Sequence, residues 1–380
     1  MLLDQRPLAC ILAQTRLLAA LLVAHAALVS GIAWAQSPPP AAAQRRVEPM
    51  AFLETLDLMR EAARIPGLSV AVVVDGKVVI AAGLGYADLE SRLPATPDTP
   101  YNIASVAKTI SAVLSLKLAE EGLLDLDRPM TTFAGFREFC EDFRHQQSIF
   151  ARDLRCHSEP LTLRHVLSHT VNGSVGHKFS YNPIMFSWAS RPMSEVAGIP
   201  FSDLVQQYAF EPAGMKRSAR IHRDLPLRKD LAAELAPPYD VDDNGVLMRA
   251  SGPPAQGDGA AGGVISTVLD LAKFDIALDA GKLISPASRE AMMSPALSPG
   301  GQPLPYGLGV FVQTYRGNKL VWHSGWWPNA YSALYLKVPE KKLTLILLAN
   351  SDGLWWGNPL EAAEVERSAF AQVFFRYFLQ

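Results

Sequence analysis

Apolar positions recur with helical spacing over residues 52–63, and the Pro66-Gly67 pair breaks that pattern. Two β-branched runs follow at 68–74 and 77–82, joined by Asp75-Gly76. An Asp-Gly pair between such runs predicts a hairpin, because both residues tolerate the positive φ that a tight turn demands. From Ser105 the pattern turns helical again, with Ile110, Val113, Leu114 and Leu118 apolar and Gly122 as the stop. Residues 129–305 are punctuated by Pro and Gly and read as helix and loop, including a glycine turn at Gly262-Gly263 that leads into a helix over 269–278. Strand patterns return at 306–314, 319–323, 331–337 and 343–349, and a last helix is predicted over 360–378.

Strands at both ends of the chain with a helical block between them predict an α+β fold. Its mainly antiparallel sheet joins the N-terminal hairpin to the C-terminal strands, with the terminal helices on one face and a helical lobe (about 129–305) on the other. A cleft between sheet edge and lobe is the natural site. The expected organisation is a signal peptide over 1–35, a disordered lead-in over 36–48 rich in Pro and Ala, and one domain over 49–380. Arg6 and Arg16 precede an apolar run over 17–29, and Ala33-Trp34-Ala35 offers small residues before a cleavage point. That predicts export to the periplasm or beyond, with no stable membrane insertion after cleavage, since no later apolar run approaches ~20 residues.

The charge balance, 35 basic against 37 acidic residues, leaves no electrostatic footprint for nucleic acid. The partner expected is a small-molecule or peptide substrate. Of the three cysteines, Cys10 falls in the leader and leaves Cys140 and Cys156, an even pair that suggests a disulfide in an exported protein.

Three constellations carry chemistry. In Ser105-Val106-Ala107-Lys108 the two side chains share a helical face, so an amine of depressed pKa can take the serine proton. A helix N-terminus there adds N–H groups near a developing oxyanion. Tyr181, in Phe179-Ser180-Tyr181-Asn182, offers a phenol that can act as base and then acid, although in isolation it reads more readily as a packed aromatic. In Val321-Trp322-His323-Ser324-Gly325 a histidine ends a strand, and the N–H of Trp326 is a second oxyanion donor. Trp322, Trp326 and Trp327, with Trp355 and Trp356 later, suggest an apolar wall.

These motifs, in this order, resemble the serine β-lactamase and penicillin-binding superfamily, whose Ser-x-x-Lys is matched at Ser105 and Lys108. The stretches 161–170, 210–216, 262–267 and 306–309 are similar to the class C branch and its esterase and D-peptidase relatives. The resemblance implies Ser105 as nucleophile, Lys108 and Tyr181 sharing proton transfer, and His323 with Gly325 lining the substrate strand beside Ser324 and Trp327. It implies neither metal nor organic cofactor. Two positions depart from the pattern. Pro183 stands where Tyr-x-Asn would place its Asn, so Asn182 comes one residue early. His323-Ser324-Gly325 replaces Lys-Thr-Gly, which weakens the expected grip on a penicillin-type carboxylate. Ester or amide hydrolysis of small acyl or peptide substrates is therefore expected, with a true class C β-lactamase or D-alanyl peptidase as alternatives. A non-catalytic sensor of cell-wall peptides is the rival from another class.

Other patterns point less far. His165 and His169 stand four apart without a third ligand. Asp240, Asp242, Asp243, Asn244 and Gly245 lack the spacing of a calcium loop. No Gly-x-Ser-x-Gly elbow occurs.

Overall fold

The computed structural model describes residues 48–157, 161–242, 246–360 and 362–379; the leader with its cleavage point, its extension to 47, and Asp243-Asn244-Gly245 of the acidic turn lie outside the described residues. Helix α1 (Pro49–Ala62) leads into β1 (Gly67–Val74) and β2 (Lys77–Asp88). Their turn has Asp75 at φ 49 and Gly76 at φ 72, as the Asp-Gly pair predicts. Strand β2 runs past the expected end at 82 because Gly83 admits a crossing backbone: a Cβ there would lie 2.0 Å from the Ala95 carbonyl oxygen. A short β3 (Leu93–Pro94) pairs with its far end.

The helix beginning near Ser105 is α2 (Ala107–Glu120), preceded by a 3₁₀ turn over Ala104–Val106. Helices α3 (Phe136–Arg144) and α4 (Pro183–Trp188) belong to the middle of the chain. Strands β4 (Tyr101–Asn102), β5 (Ala219–Arg220) and β6 (Val264–Ser266) form a small sheet in the order β4-β6-β5, and α5 (Val268–Asp279) follows directly. Then come β7 (Phe311–Tyr315), β8 (Asn318–Trp327), β9 (Tyr331–Val338), β10 (Leu343–Ala349) and α6 (Ala369–Phe378).

Seven strands make the main antiparallel sheet, ordered β3-β2-β1-β10-β9-β8-β7, so the two ends of the chain meet at the β1–β10 pair. Alternation along β1 sorts the core into two layers. Val70 and Val72 pack with Phe52 and Leu56 of α1 and Phe374 of α6, while Ala71 and Val73 face the cluster that includes Ile110 and Val113 of α2. With both faces covered, β1, β9 and β10 lose the polar alternation of a half-exposed strand and become apolar runs.

Two predicted elements are shorter than their sequence patterns. Residues 306–310 precede β7 rather than belonging to it, and Tyr306 is turned inward, fully buried. Residues 362–368 are not part of the last helix, which begins at the Ser368 N-cap, whose side chain accepts the Ala371 N–H.

A buried polar network ties α5 to the sheet. Asp275 accepts from Lys337 Nζ at 2.9 Å, Thr344 Oγ1 at 2.9 Å and Tyr335 Oη at 2.5 Å. Each partner of this ion pair is satisfied, so its specific geometry fixes the seat of α5 and of the glycine turn before it.

Candidate active site

The site grows from a constrained turn. Asn102 Oδ1 accepts the Ala104 N–H at 2.9 Å, and the Ile103 N–H donates to Val264 O at 3.1 Å. Ala104 is thereby held at φ 47, a left-handed conformation that a non-glycine residue adopts only when its surroundings impose it. Ser105 follows, partly exposed, on the 3₁₀ turn that starts α2. Strand β8 presses on the same turn: a Cβ at Gly325 would lie 2.3 Å from Ile103 O and 3.0 Å from Ala333 Cβ. Glycine is the residue that lets this strand backbone lie beside Ser105.

One helical turn on, Lys108 is fully buried, with Nζ 2.8 Å from Ser105 Oγ and 3.0 Å from Ala261 O. The Tyr181 and Phe186 rings lie 5.2 and 5.5 Å from that nitrogen. Burial brings the amine down to about 7, so near neutrality a large share is uncharged and able to accept a proton. The carbonyl that anchors it comes from the glycine turn, which Arg220 holds from behind. The guanidinium donates to Gly262 O, to Gly259 O at 3.0 Å and to Asp258 Oδ1 at 2.8 Å.

Tyr181 is almost fully buried, and burial raises its hydroxyl well above the usual phenol range, an effect partly offset by a hydrogen bond with Ser105. The base role expected of Tyr181 is therefore not supported: at ordinary pH the group is a neutral phenol that can pass a proton. Beside it lies His169, its ring tilted against that of Tyr181 at 4.4 Å between centroids, and its Nδ1 accepts the Asn182 N–H at 3.0 Å. His165 instead closes a capping box with Thr162, so the two histidines do not converge on a metal.

A cavity of about 270 Å³ is lined by Ser105, Lys108, Tyr181, Gly262, Trp326 and Trp327 among others. Several expected members stand elsewhere. His323 is 1 % exposed and is not on the cavity wall. Its Nδ1 donates to Ser324 O at 2.6 Å, and its Nε2 accepts from the Tyr306 hydroxyl at 2.8 Å. Burial and the nearby Lys108 amine drive its pKa to about 3, so it is a neutral structural support. Ser324 is likewise absent from the wall. Asn182 is fully buried and caps α4 by accepting the Met185 N–H at 3.0 Å. Its amide donates to Phe150 O at 2.8 Å and Asn172 Oδ1 at 3.0 Å, which leaves no group for a substrate. Pro183, one residue on, does line the cavity. Of the tryptophans, Trp326 and Trp327 form part of the wall; Trp355 stacks on Trp326 at 5.1 Å, whereas Trp322 is core.

Sequence reasoning missed Phe150, Ile184, Ser187, Gln256 and Leu360, which also line the cavity. Phe150 lies inside the loop closed by Cys140 and Cys156, which are bonded with Cα atoms 5.5 Å apart. The disulfide therefore holds a wall of the site as well as the fold. Replacing both cysteines by serine is expected to lower the unfolding free energy by about 3 kcal/mol, read as an earlier urea midpoint that added reductant no longer shifts. An unchanged midpoint would remove the disulfide from the stability of this region.

A family model described as Beta-lactamase matches residues 51–365. The chain belongs to the beta-lactamase family. Among its relatives in that family, it is 24% identical over 306 residues to a penicillin-binding protein of Bacillus subtilis (strain 168), covering 73% of this chain and 66% of that one. It is 27% identical over 278 residues to a D-aminopeptidase of Brucella anthropi, covering 68% of this chain and 51% of the relative. The chain thus spans about half to two thirds of the length of these curated relatives. An octameric penicillin-binding protein homologue from Pyrococcus abyssi superposes with a TM-score of 0.68 at 26% identity, covering 86% of this chain and 77% of that structure. A D-amino acid amidase from Ochrobactrum anthropi SV3 shares the fold, with a TM-score of 0.65 at 22% identity over 87% of this chain and 97% of the other.

Proposed function

We propose that this beta-lactamase family member is a serine hydrolase that cleaves ester or amide bonds of small acyl or peptide substrates through an acyl-Ser105 intermediate. The observation that carries the reading is a buried amine, brought to about 7, lying 2.8 Å from the hydroxyl of a serine that faces a cavity. The neutral Lys108 amine takes the Ser105 proton as Oγ bonds to the substrate carbonyl carbon. The N–H groups of Ser105 and Trp326 stabilise the oxyanion, a role supported by the close seat of β8 against the turn. As the bond to the leaving group breaks, the proton passes to it through Tyr181. Water then attacks the acyl carbon as Lys108 takes its proton, the carbon–Oγ bond breaks, and Lys108 returns that proton to Ser105 Oγ as the acid leaves.

Amide and peptide substrates gain support from the D-aminopeptidase relative. Penicillins lose it, because the β8 residue in the expected lysine position is a buried neutral histidine rather than a cation. Export is part of the proposal: a bonded, buried cysteine pair fits an oxidising compartment.

The test compares the full chain with Ser105→Ala on p-nitrophenyl butyrate, D-alanine p-nitroanilide and a chromogenic cephalosporin. Turnover of the ester or anilide that falls at least a thousandfold in the variant is the expected result. Equal turnover by both proteins would remove Ser105 from the chemistry.

A further inference from the structure

The backbone at Tyr181 is held by one residue outside the cavity. His169 follows the helix over Leu163–Leu167 and its C-cap Ser168, at φ 55, in the place that glycine or asparagine ordinarily takes. Its carbonyl oxygen accepts the Ser180 N–H at 2.8 Å, and its Nδ1 accepts the Asn182 N–H at 3.0 Å. The residues before and after Tyr181 are thus both hydrogen-bonded to His169. The His169 ring also lies against its aromatic neighbours, 4.4 Å from Tyr181, 4.9 Å from Tyr306 and 5.2 Å from Phe186 between centroids. A neutral imidazole that accepts at Nδ1 carries its proton on Nε2, and that N–H is buried with no acceptor among the described residues. Burial first, and the Lys108 amine after it, hold the His169 pKa well below the usual range, so the Nδ1 lone pair stays available. Left-handed backbone and an orphaned donor both cost stability, so packing alone does not account for a histidine here. His169 does not line the Ser105 cavity and reaches the chemistry only through Tyr181.

We propose that His169 is a positioning residue for the proton step, clamping the backbone on both sides of Tyr181 so that the phenol stands between Lys108 and the leaving group. This rests on the serine-hydrolase reading above. As the bond from the acyl carbon to the leaving oxygen or nitrogen breaks, the Tyr181 hydroxyl gives its proton to that atom. It takes in return the proton that Lys108 received from Ser105. Such a relay needs a fixed loop, because a displacement of about 1 Å is worth about a hundredfold in rate. The clamp matters most where the leaving group is poor. An alkoxide or an amine must be protonated as it departs, whereas p-nitrophenolate leaves unaided at neutral pH.

The experiment compares ethyl butyrate with p-nitrophenyl butyrate, which share an acyl group and differ in leaving group, and reads kcat/KM, which reports acylation. His169→Phe keeps a ring but has no acceptor for the Asn182 N–H. It is expected to lose about tenfold or more activity on the ethyl ester beyond its loss on the p-nitrophenyl ester. His169→Asn is expected to recover most of that difference, because its Oδ1 takes the place of Nδ1 and asparagine tolerates the positive φ. Equal losses on the two esters, no loss on either, or an asparagine variant as impaired as the phenylalanine one would each overturn the role. Should His169→Phe not fold, His169→Gln replaces it, since its amide oxygen lies one bond beyond the Nδ1 position. A ratio between the esters equal to that of His169→Asn then overturns the role. A second arm needs no turnover: hydrogen exchange at the Asn182 amide is expected to be about tenfold or more faster in the variant lacking the acceptor than in wild type or His169→Asn. Equal exchange overturns the clamp. Failure of the hydrolase reading is distinct, since it shows as esters cleaved equally by wild type and Ser105→Ala.

Discussion

Lys108→Met is expected to lower kcat/KM for any accepted ester by about a thousandfold or more while making the protein more stable. Both effects follow from one burial. In the wild type the amine has no carboxylate partner among the described residues and contacts Ser105 Oγ, Ala261 O and two aromatic rings, so desolvation lowers its pKa from 10.5 to about 7. The uncharged form is the base, so activity should rise with pH through about 7 and level off above it. Methionine matches the length of the side chain but cannot accept a proton, and general-base removal costs roughly 10²–10⁴-fold before the lost serine activation is added.

The stability sign runs the other way. The unfolded chain binds a proton at Lys108 up to about pH 10.5, whereas the folded chain releases it near 7. Between those values the unfolded state holds more protons, so stability rises with pH. The penalty is complete below pH 7 and vanishes above 10.5. Removing the amine lifts that penalty but orphans Ala261 O, leaving a net gain of about 2 kcal/mol at neutral pH. Chemical denaturation and pH–rate profiles of both proteins check the pair of effects. A variant that is inactive yet no more stable would mean that Lys108 is held charged, and would overturn its role as a neutral base.

The elements carrying the strongest periodic signals were legible before any coordinates. Asp75-Gly76 announced its hairpin, and the apolar runs of β9 and β10 announced buried strands. Ser105 and Lys108 were legible because three residues on a helix is a local distance that spacing determines. His323 and Asn182 were misplaced for a physical reason. A strand or loop position says which residue is near the site, but tertiary partners decide whether its polar atoms remain free. Tyr306, 17 residues from His323 in the chain, takes one imidazole nitrogen, and Phe150 and Asn172 take the Asn182 amide. Phe150 reaches the cavity from a disulfide loop with no periodic signature, and Leu360, which the pattern placed in the last helix, reaches it from an irregular segment before that helix. A depressed pKa at Lys108 was expected from its pairing with Ser105, but its cause was outside the sequence, because burial on every side by distant segments produces it.

Gly325→Val is expected to reduce kcat at least a hundredfold, although residue 325 presents no chemical group to a substrate. The new Cβ would lie 2.3 Å from Ile103 O and 3.0 Å from Ala333 Cβ, so either β8 or the Ile103–Ala104 turn must move. On one side β8 is registered to β9, with Gly325 opposite Ala333 and His323 opposite Tyr335, and a shift there would break the ladder. The turn is the softer element, because Ala104 already sits at φ 47 and is held there by the Asn102 and Val264 hydrogen bonds. Its displacement carries Ser105 away from Lys108 and separates the two proposed oxyanion donors. A shift of about 1 Å is enough for a loss of that size. Overpacking should also cost about 1–3 kcal/mol of stability, so the decisive reading is kcat at a temperature where the variant is fully folded. Gly300→Ala is the control, since its nearest neighbour would be Ser298 Oγ at 3.9 Å, and it should change neither property. A folded Gly325→Val protein with wild-type kcat would show that the strand can yield without moving the serine, and would separate β8 from the geometry of Ser105.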